Sequence, residues 1–286
     1  MAGAGTMTAM DDGNRPWSPI TIEQHDDLVP APIERLAALL DHDRAHWPAG
    51  ALPPLAHWLY FLPHAAQSTL GADGHPLRGA LLPPIDAPRR MWAGGRVEFR
   101  RPLPIGARAT RRSVVVAVRE KDGRSGRLTF VTVRHEIVES GAVAIVEEQD
   151  LVFRGDGGGA PPPAAPDPRA ATATRAMIAD EAALFRFSAL TFNAHRIHYD
   201  RDYAVAVEHY PDLVVHGPYQ AILLADHLLR HAPSRAITRF SFRGFRPLFA
   251  RQPFTLNMHG GDPAALWTAD RDGCACMEAS AGLARI

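Results

Sequence analysis

The chain has 286 residues, 46% of them hydrophobic, which is enough to bury a substantial core and to form two domains. Its 31 basic and 31 acidic side chains balance, which argues against nucleic acid or an anionic membrane as the main partner. The first residues lack the apolar core of a signal peptide, and no apolar run is long enough to span a bilayer. Cys274 and Cys276 are too close in sequence to favour a mutual disulfide. We therefore expect a cytoplasmic protein with reduced thiols.

The first half begins with a helical pattern and ends in strands. Residues 32–40 form an apolar stretch with Pro32 in the first turn, which predicts a helix. Valine-rich runs at 113–118, 128–133 and 142–153 predict strands, and the polar residues 121–126 indicate a hairpin connection between the first two. An antiparallel meander is therefore expected after the helix.

A linker is predicted just past the middle of the chain. Residues 155–170 are nearly all glycine, proline, alanine and aspartate, a composition that builds neither helix nor sheet. They would separate an N-terminal domain at 15–154 from a C-terminal domain at 171–286. The tripeptide Arg-Pro-Leu occurs at 101–103 and again at 246–248, an offset of about half the chain, as a duplicated domain requires.

The second half follows the same plan as the first. Residues 217–232 are apolar over most of the circumference of a helix, which predicts a largely buried helix. Strands are expected at 236–242 and 252–258. The predicted fold is α+β, with a curled antiparallel sheet wrapped around a buried central helix, made twice.

Polar groups are concentrated between residues 190 and 200, directly after an apolar lead-in. Asn193, His195, Arg196, His198 and Asp200 all lie within this stretch. Downstream, a short apolar run leads through His216 to Gly217 and Pro218 at the predicted helix start. A proton-transfer group together with a glycine at a helix N-terminus indicates chemistry on a carbonyl compound.

These residues resemble the hydratase motif of the MaoC-like acyl-thioester hydratases and dehydratases, Asp-x-Asn-Pro-(Leu/Ile)-His followed by a glycine at the central helix. Asn193 to His198 falls on that spacing, with Gly217 in place of the glycine. Residues 88–99 resemble the N-terminal half of the branch that acts on itaconyl-CoA or mesaconyl-C4-CoA. The segment also looks similar to that of the type 2 hydroxyacyl-thioester dehydratases. The resemblance covers nearly the whole chain from Trp17 and implies a double hot dog fold.

The resemblance implies catalytic roles for Asn193, His198 and Gly217. An imidazole near neutral pH can take and give the proton, so His198 is the expected base and then acid. Gly217 would let the thioester oxygen approach the free N–H groups of the helix start. Asn193 stands where the family has an aspartate, and its amide can orient the attacking water but cannot carry a proton.

Other residues are assigned supporting or binding roles. Asp200 could orient the imidazole, although a helix cap is the alternative, and His216 could either pack at the helix start or line the pocket. Arg89, Arg90 and Arg196 could bind a substrate carboxylate or the phosphates of coenzyme A, or could be solvated. His195 is expected to have a packing role. Neither a metal nor a cofactor is expected, because no metal-ligand spacing or phosphate loop is found.

The resulting function is a lyase, a hydratase of α,β-unsaturated acyl-CoA, with itaconyl-CoA or mesaconyl-C4-CoA giving citramalyl-CoA and with a role in itaconate degradation. One alternative is a 3-hydroxyacyl-thioester dehydratase of fatty acid synthesis. Another is a non-catalytic hot dog protein that binds acyl-CoA, and a thioesterase is possible on the same fold. The expected partner is an acyl-CoA substrate, with no nucleic acid and no membrane. Both a monomer and a homodimer remain open.

Overall fold

The structure, a computed structural model, describes residues 10–11, 15–43, 47–77, 79, 81–87, 89–123, 126–155 and 164–286. In these residues the strands are β1 (Met10–Asp11), β2 (Arg15–Pro16), β3 (Ile22–Asp27), β4 (Arg89–Phe99), β5 (Arg108–Gly123), β6 (Gly126–Glu139), β7 (Ala142–Arg154), β8 (Ala173–Ile178), β9 (Arg235–Gly244), β10 (Pro253–His259), β11 (Ala264–Ala269) and β12 (Ala275–Arg285). The α-helices are α1 (Ala31–Leu39), α2 (Glu181–Thr191), α3 (Arg201–Ala206) and α4 (Gly217–His231), and short 3-10 helices lie at Ala56–Leu59, Gln67–Thr69 and Arg196–His198. Across the described ranges, no helix is both long and apolar enough to cross a membrane.

Ten strands form one antiparallel sheet that is symmetrical about its middle. Its order is β3-β5-β6-β7-β4-β9-β12-β11-β10-β8, while β1 and β2 form a separate pair. Outward from the central pair β4 and β9, each half repeats the same sequence of strands, which is the pattern expected of a duplicated unit. The repeated Arg-Pro-Leu segment follows β4 in one half and β9 in the other, at equivalent places.

The two halves meet where β4 pairs with β9, and glycines allow the strands to approach closely there. Gly94 lies opposite Arg243, and Gly95 opposite Phe242. A Cβ at Gly94 would come within 2.4 Å of the Phe242 carbonyl oxygen, and one at Gly95 within 2.8 Å of the Glu148 oxygen. Only a residue without a side chain fits this approach of three strands. The pair Gly94–Gly95 therefore has a packing role.

Helix α4 forms the centre of the second half. It begins at Gly217 with Pro218 in its first turn, where the missing N–H costs nothing, and it ends with the basic residues Arg230 and His231 at its negative pole. Eleven of its fifteen residues are buried, including the polar Asp226. The sheet curls around this helix, as the nearly continuous apolar pattern predicts.

The first half differs from the expected plan in one element. In the described part of residues 40–88, only the 3-10 helices at Ala56–Leu59 and Gln67–Thr69 occur, so no counterpart of α4 is found there. Prolines recur throughout this stretch, and a proline inside a helix removes a hydrogen bond and clashes with the preceding turn. The volume is filled instead by buried side chains from Leu55 to Phe61. The expectation of a buried central helix in each half is thus fulfilled only in the second.

The remaining predicted elements are found, but β5 and β6 are much longer than the runs at 113–118 and 128–133 that predicted them. The helix expected at 32–40 is α1, and the strands expected in both halves are β5, β6, β7, β9 and β10. The predicted hairpin joins β5 to β6. Residues 156–163 of the predicted linker lie outside the described residues. After them the chain lies against the second half, where the Asp167 N–H donates to the Gly273 carbonyl oxygen.

A buried carboxylate ties the irregular stretch of the first half to its sheet. Glu147 on β7 is 2% exposed and accepts hydrogen bonds from Trp58 Nε1 at 2.7 Å and Gln149 at 2.9 Å. His57 Nε2 lies 3.1 Å from its other oxygen. Burial alone would raise the pKa of Glu147, but the bond and charge of His57, helped by His135, lower it to about 2. Burial lowers the pKa of His135 to about 4.

Glu147→Gln should cost about 3 kcal/mol of unfolding free energy at pH 7, because it weakens a buried charged network. The wild type should lose stability on acidification in two stages. As the pH falls, His135 takes up a proton from about pH 6.5 in the unfolded chain but only at about pH 4 in the folded protein, so the free energy of unfolding decreases over this range. Glu147 adds a loss from about pH 4.5 towards pH 2. Urea unfolding of the wild type and of Glu147→Gln between pH 7 and 3.5 measures the cost of the substitution and the pH dependence. Glu98→Gln, an exposed change on β4, is the control. Equal pH profiles for Glu147→Gln and wild type would contradict the prediction.

Candidate active site

His198 ends the 3-10 helix Arg196–His198 and is held by the backbone that leads into α4. Its Nδ1 donates to the Val214 carbonyl oxygen at 2.7 Å, and the Val214 N–H donates to the Ile197 oxygen at 2.9 Å. Because a carbonyl only accepts, the proton lies on Nδ1 and the lone pair on Nε2. That Nε2 has no hydrogen-bond partner in the described part of the chain. The ring is thus fixed as a proton acceptor.

His216 and Gly217 complete this side of the site. His216 is fully buried, its ring stacks on His198 with centroids 3.6 Å apart, and its Nε2 lies 2.9 Å from Ser188 Oγ. Of the two roles considered for His216, the structure shows packing beneath His198. A Cβ at Gly217 would meet only Met277 Cε, at 3.8 Å. A side chain at this position would therefore meet little besides the Met277 methyl group.

Burial keeps the imidazoles here uncharged. It lowers the pKa of His198 to about 3, with His195 contributing, and it lowers the pKa of His216 well below the usual range. Burial also lowers the pKa of His195 to about 3, with His75 and Arg90 contributing. The ring of His195 meets that of His198 edge-on, with centroids 5.5 Å apart. A neutral His198 near pH 7 can accept a proton but cannot donate one at the start of a reaction.

Asn193 and Asp200 both bond to nearby backbone. Asn193 Oδ1 accepts from the His195 N–H at 2.9 Å, which leaves the amide NH₂ as a donor. Asp200 caps α3 by accepting from the Tyr203 N–H at 3.0 Å, and it pairs with Arg196 at 2.7 Å. The Val214 carbonyl, and not Asp200, orients His198. Asp200 is therefore a helix cap, which is the alternative role considered for it.

A loop of the first half, residues 71–77, docks on this segment and brings two groups that the sequence reasoning missed. Its Asp73 carbonyl oxygen accepts from the Arg196 N–H at 2.9 Å, and the Ala72 oxygen accepts from Arg196 Nη1 at 3.0 Å. His75 Nδ1 lies 2.8 Å from Asp73 Oδ2, and its ring packs on His195 with centroids 4.0 Å apart. An aspartate–histidine pair therefore lies beside the expected catalytic segment.

A cavity of about 630 Å³ lies at this junction of the two halves. It is lined by most of the 71–77 loop, including Asp73 and His75, and by Arg89, Arg90, Tyr203, Val207 and Glu208. His198 and Gly217 do not line it. A second cavity of about 20 Å³ shares Asp73, Arg89, Arg90 and Glu208 with the first and is also lined by His195 and Ile197 of the catalytic segment. The cavities therefore lie against the catalytic segment at His195.

The three predicted binding arginines differ in how they are used. Arg89 Nε lies 3.3 Å from Glu208 Oε2, and Arg196 is bonded to Asp200 and Ala72 while its guanidinium lies over the Tyr203 ring. These contacts give Arg196 a positioning role between loop and segment. Arg89 and Arg90 both line the two cavities, whereas Arg196 lines neither. Arg90 and its neighbour Arg89 are therefore better placed than Arg196 to meet a bound anion.

Asp73, His75 and His195 also bring a carboxylate oxygen and two ring nitrogens within 4.8 Å of one another, close enough to surround a metal ion. However, Asp73 and His75 already bond to each other, and the shared proton occupies His75 Nδ1. We assign no metal to this group. In the sequence, its only signal was the run Asp-Gly-His-Pro at 73–76, which lies far from the hydratase motif.

Solved structures of low sequence identity share this architecture. A MaoC-like dehydratase from Phytophthora capsici superposes with a TM-score of 0.67 at 13% identity, covering 94% of this chain and 95% of that one. A Mycobacterium tuberculosis protein described as having a double hot dog fold gives 0.58 at 13% identity, covering 94% and 96%. The fold is therefore the double hot dog, as expected from the sequence.

The family follows from sequence. The profile of the hydroxyacyl-thioester dehydratase type 2 family matches residues 55–250, and the chain belongs to this family. Its sequence is 47% identical over 276 residues to the mesaconyl-C4-CoA hydratase of Chloroflexus aurantiacus, covering 93% of this chain and 96% of that one. The predicted resemblance to the MaoC-like hydratases and dehydratases is confirmed.

Proposed function

We propose that the protein is a hydro-lyase that adds water reversibly across the double bond of an α,β-unsaturated acyl-CoA. The 47% identity to a mesaconyl-C4-CoA hydratase over nearly the full length of both chains carries the proposal. The site supports it, because a neutral imidazole with a free Nε2 stacks on His216, the residue that precedes the first turn of α4 at Gly217. We further propose mesaconyl-C4-CoA or itaconyl-CoA as the substrate and citramalyl-CoA as the product, which would give a role in itaconate degradation.

In this mechanism His198 Nε2 takes the proton of water as the oxygen attacks the β-carbon. Negative charge develops on the thioester oxygen and is stabilised by the free N–H groups at the start of α4, where the helix dipole is also favourable. Asn193 would direct its NH₂ to the attacking water. His216 and Arg196 hold the catalytic segment rather than react. No cofactor is required for these steps.

The two domains formed by the duplication have different roles. We propose that the C-terminal domain, 171–286, carries the catalytic segment and α4, while the N-terminal domain, 15–154, shapes the acyl and coenzyme A pocket. The cavity is lined from both halves, which supports a shared site. A cytoplasmic location is proposed with it, since Cys274 and Cys276 are free and buried.

The test is a panel of acyl-CoA thioesters in which mesaconyl-C4-CoA and itaconyl-CoA are compared with medium straight-chain enoyl-CoAs, following the loss of conjugated absorbance. We expect turnover of the short dicarboxylates. Preference for the straight chains would favour a 3-hydroxyacyl-thioester dehydratase, the activity for which the matched family is described. No turnover of any thioester, with binding retained, would favour a non-catalytic acyl-CoA-binding protein.

Arg90→Met should raise KM for a dicarboxylyl-CoA by about tenfold or more, because a charged hydrogen bond to the substrate carboxylate is worth about 1.5–3 kcal/mol. KM for a straight-chain enoyl-CoA should change little. Arg119→Met, an exposed substitution on β5 of the same half, is the matched control. An equal rise in KM for both classes of substrate would contradict a carboxylate-binding role and would point to contact with coenzyme A.

A further inference from the structure

We propose that His75, oriented by Asp73, is a second proton-transfer residue of this site and the acid that protonates the α-carbon. The inference rests on the proposed hydratase function and deepens it. It also answers a deficiency in the catalytic segment, where Asn193 stands in the place of an acid and cannot carry a proton. The first half supplies the missing group through the 71–77 loop.

The geometry of His75 is that of an oriented catalytic imidazole. Asp73 accepts from the His75 backbone N–H at 2.9 Å through one carboxylate oxygen and from Nδ1 at 2.8 Å through the other. This pairing places the proton of the neutral ring on Nδ1 and directs Nε2 away from the aspartate, as in a catalytic triad. The loop itself is fixed by the bonds from Arg196 to Ala72 and Asp73.

His75 also connects the cavity to the catalytic segment. It lines the cavity, and it packs on His195, whose ring in turn meets His198. The three rings therefore form one continuous group, with a histidine of the first half at the cavity end and His198 at the α4 end.

Burial lowers the pKa of the histidine at both ends of this group, but the surrounding charges differ. His198 has histidine rings and a carbonyl around it and no carboxylate contact among the described residues, so its neutral form is strongly preferred. Around His75 lie Asp73 and Glu208, which favour its charged form, and Arg90 and His195, which oppose it. Burial lowers the pKa of His75, and Asp73 partly offsets this. Environments that separate two titrating groups in this way assign one as base and the other as acid.

Neutral His198 takes a proton from water while the oxygen bonds to the β-carbon, and the π electrons move to the thioester oxygen. Protonated His75 gives its Nε2 proton to the α-carbon as the carbonyl re-forms. The proton on His198 is lost to solvent and His75 regains one from the cavity, so the site returns to its initial state.

The decisive measurement is the pH dependence of kcat/KM in His75→Gln. In the wild type, kcat/KM should fall by about tenfold per unit between pH 7 and 8, because only protonated His75 is the acid and this range lies above its pKa. His75→Gln should lower kcat by about 10²–10⁴-fold and abolish this slope. Asp73→Asn should lower kcat/KM at pH 7 but keep the slope, because removal of the carboxylate lowers the pKa of His75 further. His64→Gln, an exposed histidine of the same half, should match the wild type.

Rescue separates proton transfer from a structural role. Added imidazole should restore part of the activity of His75→Ala through the open cavity, and it should do nothing for Asp73→Asn. A wild-type slope and kcat in a folded His75→Gln would overturn the assignment while leaving the hydratase proposal standing. Loss of wild-type activity on dialysis against a chelator, with return on adding Zn²⁺, would overturn it in favour of a metal at Asp73, His75 and His195. A wild type inert to every thioester would overturn both proposals.

Discussion

His198→Ala should lower kcat by about 10²–10⁴-fold with little change in KM, because the variant lacks the group that takes the proton of water. His198→Asn is the sharper variant, since its amide can still donate to the Val214 carbonyl in place of Nδ1 and so preserve the local backbone. The two variants should lose kcat to the same extent. Steady-state kinetics with the best thioester of the panel, together with thermal unfolding, measure this.

The pH profile of the wild type adds an independent check on His198. Its pKa is lowered to about 3, so it stays neutral and no loss of activity from its protonation should occur as pH falls from 7 to 5. His259→Ala, an exposed histidine of β10 in the same half, is the matched control and should keep full activity. Turnover within a few-fold of wild type in a folded His198→Asn would remove His198 from the mechanism.

The second half was predictable because its signals are local. Asn193, His198 and Gly217 lie in two short segments, and the apolar pattern of α4 can be recognised without knowledge of the partner strands. A helix that is apolar on nearly every side must be surrounded, which is sufficient to predict a sheet curled around it. The repeated Arg-Pro-Leu segment lies at equivalent places after β4 and β9, in agreement with the duplication that it predicted.

The first half was less predictable because what matters there depends on tertiary contact. The prolines of residues 40–88 disfavour a helix, but no pattern indicates that buried side chains near Leu55 take its place. The sequence shows that Gly94 and Gly95 do not belong to a phosphate loop. It does not show why glycine is needed there, because β9, the strand that they approach closely, lies far away in the chain. His75 acquires its role only because Arg196, more than a hundred residues later, holds its loop.

Asp200 and Arg196 show why the role of a residue in the motif could not be predicted from the sequence alone. Both have side chains that could take part in catalysis. The structure pairs them with each other and with backbone, so their charges are used to build the segment. Spacing alone cannot separate a residue that reacts from one that positions, because both must lie close to the site. Contacts with the rest of the chain decide between these roles.

Gly74→Ala should disable the enzyme from outside the catalytic motif. Gly74 has a φ of +87°, and an added Cβ would lie 1.9 Å from the Ala194 carbonyl oxygen. Backbone cannot give way by that amount, so the 71–77 loop must lift from the catalytic segment. Strain at the positive φ adds about 1–3 kcal/mol. We expect kcat to fall by tenfold or more, because the bonds from Arg196 to the loop and the packing of His75 on His195 are lost together.

Gly79→Ala is the matched control for this loop. A Cβ there has nothing within 4 Å, and the residue should tolerate alanine without loss of turnover or stability. Kinetics and urea unfolding of the two variants side by side separate the effect of docking from that of losing a glycine. If Gly74→Ala lowers stability but leaves kcat unchanged, docking holds the halves together without taking part in the reaction. If it lowers kcat while the main unfolding transition is preserved, the loop belongs to the active site, because the strain is then confined to its contact with residues 194–196.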